Sequence, residues 1–168
     1  MTKTKAKIGV VGYGIIGKRV ADAVAAQSDM ELVGVADIIS DVRLRIAVER
    51  KYPIYCSVSD FEPKMREAGY EIVGYLEDLV KEIDIVIDCT PSGVPLQNFP
   101  LYRVADVKII VQGGEKHTLT NRSFSTFGNY ATHFGVDQTR LVSCNTTALT
   151  RIIATLDQEY GVSDAFVA

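Results

Sequence analysis

Cysteine is scarce in this sequence and does not pair. Cys56, Cys89 and Cys144 are odd in number and widely spaced, which argues against a disulfide framework and for a reducing compartment. No CxxC is present, and His117 and His133 lie apart from the thiols, so zinc has no ligand set and no metal is expected. Basic charge is not in excess either. The formal net charge is −3, without the electrostatic footprint of a nucleic-acid partner. No apolar run approaches the length that spans a bilayer. Lys3, Lys5 and Lys7 precede an apolar run at 8 to 11 that is too short for a signal peptide and leads straight into glycines. Internal repeats and low-complexity segments are also missing. A cytoplasmic protein is the expectation, with neither membrane nor nucleic acid as partner.

What is present is the material for a core. Of 168 residues, 47% are hydrophobic and 23% charged, which suits one domain of ordinary size. Strand and helix patterns alternate along the chain, the mark of an α/β fold with a doubly wound, mainly parallel sheet. Residues 5 to 12 read as a buried parallel strand. Gly12-Tyr13-Gly14-Ile15-Ile16-Gly17 follows, and an amphipathic helix runs from about 15 to 27. Strand, GxGxxG and helix in that order form the dinucleotide fingerprint. Gly12 allows the tight turn, Gly14 the close approach of a pyrophosphate, and Gly17 the packing of helix on strand. The N–H groups of Ile15 and Ile16 face the phosphates at the helix N-terminus.

Residues 31 to 37 read as the second strand, ending in Asp37, 20 residues after Gly17. That is the spacing of a carboxylate on the adenosine ribose hydroxyls, and its charge repels a 2′-phosphate, favouring NAD over NADP. Arg43 is close enough in sequence to swing in and offset this. The alternative for Asp37 is a cap on the following helix.

Helical patterns follow at about 41 to 51, 59 to 68 and 76 to 82, with a short strand at 54 to 57 that gives Cys56 a packing role; 70 to 74 is ambiguous. Residues 84 to 89 form a buried strand ending at Thr90-Pro91-Ser92-Gly93. This turn falls on the expected carboxyl edge of the sheet, where ligands of open α/β sheets sit, and places Thr90 and Pro91 near the dinucleotide. Residues 94 to 104 read as a crossover interrupted by Pro95 and Pro100. The strand at 107 to 111 ends at Gln112-Gly113-Gly114-Glu115-Lys116, where paired glycines permit close approach of a ligand and Glu115 and Lys116 read as a surface pair. From 117 to 138 the pattern is weak and polar, and nothing in it sets His133 beside a thiol.

A last strand at 139 to 143 runs into Ser143-Cys144-Asn145-Thr146-Thr147. A helix follows to about Tyr160, with Leu149, Ile152, Ile153 and Leu156 on one face and Gly161 as its stop. Cys144 thus stands where strand hands over to helix, and unpaired N–H groups and the helix dipole favour a thiolate there. A thiolate beside a nicotinamide suggests addition to an aldehyde, hydride loss to NAD and a residual thioester. The Cys144 and Asn145 N–H groups, with the Asn145 side chain, are the donors for the developing oxyanion. Thr146 and Thr147 are assigned to capping and packing the first turn. The bland reading of Cys144 is a small buried hydrophobe.

Three segments carry a resemblance: GYGIIGKRVADAV at 12 to 24, QGGEK at 112 to 116, and SCNTT at 143 to 147 ahead of an apolar helix. With them the chain resembles the archaeal type of phosphorylating glyceraldehyde-3-phosphate dehydrogenase over its nucleotide-binding half. The resemblance implies that Cys144 is the nucleophile, that Ser143, Cys144 and Asn145 contact substrate, and that Ile15, Ile16 and Gly114 contact the dinucleotide. It implies a cytoplasmic enzyme of glycolysis or gluconeogenesis, commonly a homotetramer. Such an enzyme converts glyceraldehyde 3-phosphate, phosphate and NAD(P) to 1,3-bisphosphoglycerate. Family members often carry a lysine where Asp37 stands, and many use NADP; Asp37 points instead to NAD. The family also continues for about as many residues again, with a domain bearing the histidine base.

The expected organisation is therefore a Rossmann-type dinucleotide-binding domain at 1 to 143. The nucleophile helix and the first strand of a catalytic domain, DAFVA, then occupy 144 to 168. Without the histidine the chain alone should be a poor dehydrogenase, since general acid–base help is typically worth about 10²–10⁴ in rate. The competing reading is a non-catalytic NAD-binding module or sensor.

Overall fold

The computed structural model describes residues 4–112 and 114–167. Eight strands form one sheet in the order β4-β3-β2-β1-β5-β6-β8-β7. They are β1 (Ala6–Val11), β2 (Met30–Asp37), β3 (Ile54–Cys56), β4 (Gly74–Tyr75), β5 (Ile85–Asp88), β6 (Lys108–Val111), β7 (Ser123–Phe124) and β8 (Gln138–Leu141). Every pairing is parallel, so the chain crosses over between strands and the carboxyl ends all meet one edge. Strand order reverses between β1 and β5, which makes that point the topological switch of a Rossmann-type fold.

The helices are α1 (Ile15–Ala25), α2 (Val42–Glu49), α3 (Glu62–Glu67), α4 (Leu76–Glu82), α5 (Val94–Val104), α6 (Thr126–Asn129) and α7 (Cys144–Tyr160). Two apolar layers sandwich the sheet. One joins Val10, Val35, Ile54 and Cys56 to Ala21, Leu44, Ala47 and Met65 of α1, α2 and α3. The other joins Val11, Val86, Ile109 and Val111 to Leu79, Val80, Phe99 and Tyr102 of α4 and α5. Strands buried on both faces read as continuous apolar runs, which is why they stood out in the sequence.

The ambiguous segment before α4 becomes the short edge strand β4. Prolines do not interrupt residues 94 to 104; α5 is continuous. Pro95 lies in the first turn, where no N–H is needed. Pro100 faces solvent, where water can satisfy the carbonyl that its missing N–H leaves unpaired. The strand expected at DAFVA is not formed: residues 164 to 167 carry no regular structure, with Phe166 97% exposed. Ala168, Gly113 and Lys3 lie outside the described residues. The face of α7 bearing Ile152 and Leu156 is exposed. Its periodicity is amphipathic, but no element among the described residues covers it.

One core residue is unusual. Tyr13 is fully buried and its hydroxyl has no hydrogen-bond partner among the described residues. Burial, helped by the charge of Asp22, pushes its phenol up to about 12. An unpaired buried hydroxyl costs about 1–3 kcal/mol, so Tyr13→Phe should stabilise the fold by about 1 kcal/mol. That would raise the melting temperature by about 2–4 °C for a chain of this size. Because burial raises the folded value above the ordinary 10.0, ionisation of this phenol costs the fold nothing below pH 10, and stability falls as pH rises from 10 through about 12. Thermal melts at neutral and alkaline pH should show Tyr13→Phe gaining most at the alkaline end.

Candidate active site

The glycine-rich loop occupies the sheet edge at the switch point. Gly12 has a φ of +84° and a Cβ there would lie 2.7 Å from the Thr90 nitrogen, so only glycine fits. A Cβ on Gly17 would lie 1.9 Å from the Gly12 carbonyl oxygen, which sets how closely α1 seats on the loop. Gly14 differs: nothing lies within 4 Å of its Cβ position. Packing does not require that glycine; it leaves room outside the loop. No side chain caps α1, and its first turn holds no acid. The first-turn amides, beside exposed Ile15 and Ile16, are therefore open to an anion. This loop fits a pyrophosphate.

Asp37 ends β2 beside the loop. Its Oδ2 accepts the Tyr13 N–H at 2.5 Å, and its Oδ1 accepts those of Ile38 at 2.6 Å and Ile39 at 3.2 Å. The carboxylate thus ties the end of β2 to the glycine loop while remaining half-buried. It does not cap α2; Asp41 does, accepting the Arg43 N–H at 2.9 Å. Asp41 also grips the Arg43 guanidinium, with Nη2 to Oδ2 at 2.6 Å and Nε to Oδ1 at 2.9 Å. Held by Arg43, the Asp41 carboxyl is lowered to about 2. Arg43 is therefore occupied, which opposes its swinging toward Asp37.

Cys89 and Thr90 follow β5 directly against Gly12, and Pro91 comes next, exposed. Gly114 follows β6 with a φ of +88° and open space at its Cβ position. Glu115 is not half of a surface pair. It is 8% exposed, and its Oε1 accepts the Gly93 N–H at 2.6 Å. The sequence pattern assigns Asp88 no site role. It is fully buried and accepts four hydrogen bonds, from Thr90, Asn98 and Tyr102. The one local signal was a Thr two residues after a strand-ending Asp, the pattern of an Asx turn.

Cys144 is the first residue of α7, directly after β8 and its two-residue exit, and it is exposed. The bland reading of a buried hydrophobe does not hold. Ser143, not Thr146 or Thr147, is the N-cap: its Oγ accepts the Thr146 N–H at 3.2 Å and meets Thr146 Oγ1 at 2.9 Å. The first backbone bond of the turn runs from Thr147 N–H to the Ser143 carbonyl at 2.8 Å. The Cys144 and Asn145 amides are the first-turn donors left over. Asn145 Oδ1 lies 3.8 Å from Cys144 Sγ. Neither histidine joins this group. His117 Nδ1 meets Ser123 Oγ at 2.8 Å, and His133 Nδ1 meets the Asn129 carbonyl at 3.1 Å with its ring edge on Phe124. The other two thiols differ from it: Cys56 is fully buried, and burial pushes half-buried Cys89 up to about 12.

An apolar cavity of about 460 Å³ lies on a sheet face lined by Ile85, Ile87, Ile110, Phe124 and Phe134 and reaches Gln112 and Leu141 at the strand ends. Among the described residues no cluster of three or more His, Cys, Asp or Glu is placed to hold a metal. None of the helices described is long and apolar enough to cross a membrane.

A parallel switch-point sheet with this loop defines a module of the dinucleotide-binding class. Residues 6–108 match the oxidoreductase family with an NAD-binding Rossmann fold, and the chain belongs to that family. It is 49% identical over 151 residues to glyceraldehyde-3-phosphate dehydrogenase of Methanobrevibacter smithii, covering 89% of this chain and 45% of that one. To the enzyme of the same name from Thermococcus kodakarensis it is 47% identical over 156 residues, covering 93% and 46%. The chain spans about half the length of the curated relatives it matches. Among solved structures, apo scyllo-inositol dehydrogenase from Lactobacillus casei at 77K superposes with a TM-score of 0.58 at 20% identity, over 98% of this chain and 44% of that one. At that identity the likeness is one of fold.

Proposed function

We propose that this chain is the dinucleotide-binding and nucleophile-bearing half of a phosphorylating glyceraldehyde-3-phosphate dehydrogenase that uses NAD. One observation carries the reading. Cys144, exposed at the head of α7, follows β8 on the carboxyl edge where β1 delivers the glycine loop. The similarity to archaeal relatives of that name supports it.

Gly12, Gly14, Gly17 and the amides of Ile15 and Ile16 would hold the pyrophosphate. Asp37 would meet the ribose hydroxyls, with Thr90, Pro91 and Gly114 lining the remaining edge. When bound, the nicotinamide supplies the hydride acceptor. The Cys144 thiolate adds to the aldehyde carbon of glyceraldehyde 3-phosphate, and the Cys144 and Asn145 amides hold the resulting oxyanion. Ser143 fixes the start of α7, so its substrate contact is made around a hydroxyl already engaged with Thr146. After hydride departs, Cys144 carries a thioester, and inorganic phosphate attacks it to release 1,3-bisphosphoglycerate and the thiolate. No histidine among the described residues hydrogen-bonds Cys144. In this reading the general base belongs to a second domain, with 144 to 168 as the passage into it. The same reading makes the enzyme a cytoplasmic homotetramer of glycolysis or gluconeogenesis. Asp37, locked toward the loop, and Arg43, gripped by Asp41, both favour NAD over NADP.

Prolonged incubation with glyceraldehyde 3-phosphate and NAD, without phosphate, should leave a phosphoglyceroyl adduct on Cys144. Peptide mass spectrometry should find it there, with less formed when NADP replaces NAD. Binding of NAD with no adduct would overturn the enzymatic reading in favour of a non-catalytic dinucleotide module.

A further inference from the structure

We propose that Asp88 and Glu115 are positioning residues, two buried carboxylates that hold the turn at 90 to 93 from both ends as a preformed wall of the dinucleotide cleft. The inference rests on the reading that Thr90 and Pro91 face the dinucleotide, and it adds how that wall is kept in place.

Asp88, the last residue of β5, is fully buried and makes no ion pair among the described residues. A charge in such a place is tolerated only if hydrogen bonds satisfy it. Its two oxygens divide their work. Oδ1 is devoted to the turn, accepting the Thr90 N–H at 2.9 Å and the Thr90 hydroxyl at 2.5 Å. Oδ2 is devoted to α5, accepting from Tyr102 at 2.7 Å and Asn98 at 3.1 Å. If the carboxylate served only to seat α5, its Oδ1 bonds to Thr90 would have no purpose.

The far end of the turn has its own anchor. Gly93, with a φ of +91°, starts α5 and donates its N–H to Glu115 Oε1 at 2.6 Å. Glu115 is fixed in turn from β8. Arg140 Nη1 donates to the Glu115 carbonyl at 2.8 Å, while Arg140 Nε donates to Ser123 Oγ at 2.7 Å.

Between these anchors the turn abuts the glycine loop. The Cys89 N–H donates to the Val11 carbonyl at 2.7 Å, and any Cβ on Gly12 would strike the Thr90 nitrogen. A shift of the turn therefore moves one side of the phosphate cradle. Pro91, Ser92 and Gly93 are nonetheless exposed. Buried polar anchors under an exposed backbone are how a binding wall is held ready before its ligand arrives.

The test measures NAD affinity by calorimetry, well below each variant's melting temperature, for Asp88→Ala, Glu115→Ala, Glu115→Gln and Tyr102→Phe. Asp88→Ala and Glu115→Ala should each weaken NAD about ten-fold, the effect of one lost charge-assisted hydrogen bond on a preformed site. Glu115→Gln keeps an acceptor for the Gly93 N–H and should restore affinity to within about two-fold. Tyr102→Phe removes a bond on the α5 side only; it should lower the melting temperature yet leave NAD affinity unchanged. Should Asp88→Ala fail to fold, the Glu115 pair decides alone. Wild-type affinity in Glu115→Ala would overturn the inference, as would an equal loss in Tyr102→Phe, which would mark the network as structural. If the unaltered protein binds no NAD, the cofactor reading itself falls and this inference with it.

Discussion

Iodoacetamide at near-neutral pH should alkylate Cys144 at least about 100-fold faster than Cys89 or Cys56, and Cys144→Ser should abolish the fast reaction. The basis is contrast within one molecule. Burial, with the charge of Asp88 beside it, pushes Cys89 up to about 12, which leaves about one molecule in 10⁴ or fewer as thiolate near pH 7.5. The higher basicity of such a thiolate recovers only part of that deficit, and the sulfur belongs to a half-buried residue. Cys56 is fully buried, its thiol raised by desolvation and donated to the Val58 carbonyl at 3.0 Å. Cys144 is exposed at the head of a 17-residue helix. Site-resolved rates from quenched time points and peptide mass spectrometry measure all three in one sample. Equal rates at the three sites would remove Cys144 from consideration as an activated nucleophile. A pH series distinguishes exposure from activation, because an activated thiol keeps reacting below the pH at which a free cysteine in the same tube has fallen silent.

The placement of Cys144 was legible because its cause is local. A strand signal, small polar residues and an amphipathic pattern specify a strand-to-helix junction, and the junction fixes the thiol. The glycine loop was legible for the same reason, as each glycine acts within a few residues of itself. Asp37 was half legible. Its spacing from Gly17 marked it, but its bond to Tyr13, 24 residues away, depends on the pairing of β1 with β2. Asp88 and Glu115 were not legible, because their partners come from the next crossover: Asn98 and Tyr102 stand 10 and 14 residues beyond Asp88, and Gly93 lies 22 residues before Glu115. Nothing in composition separates a strand-ending acid that faces water from one that binds four donors. The expected strand at the C-terminus failed for a related reason. An apolar alternation specifies a strand only when another strand lies beside it, and none among the described residues does.

The two glycines of the loop separate folding from binding, and their substitution should give opposite results. Gly17→Ala should destabilise the protein by about 2–4 kcal/mol, at or above the usual range for an overpacked core site. Its new methyl would lie 1.9 Å from the Gly12 carbonyl oxygen and 3.0 Å from the Gly12 carbonyl carbon. Those are backbone atoms, so relief requires α1 to lift from β1 or the loop to unfold, and Gly12 is held by its N–H bond to the Ala36 carbonyl at 2.8 Å. The melting temperature should fall by about 5–15 °C, and NAD binding should be lost with it. Gly14→Ala should leave the melting temperature within about 4 °C, because the backbone there is extended at φ −78° and nothing lies within 4 Å of the added atom; the N-cap change itself is worth only about 1 kcal/mol or less. Calorimetric NAD affinity should still drop by at least about ten-fold, since the added methyl fills the space in which a pyrophosphate reaches the first-turn amides. A Gly14→Ala protein that binds NAD normally would place the phosphates elsewhere on the edge. A stable Gly17→Ala protein would show instead that the loop can move away from the helix without leaving the fold.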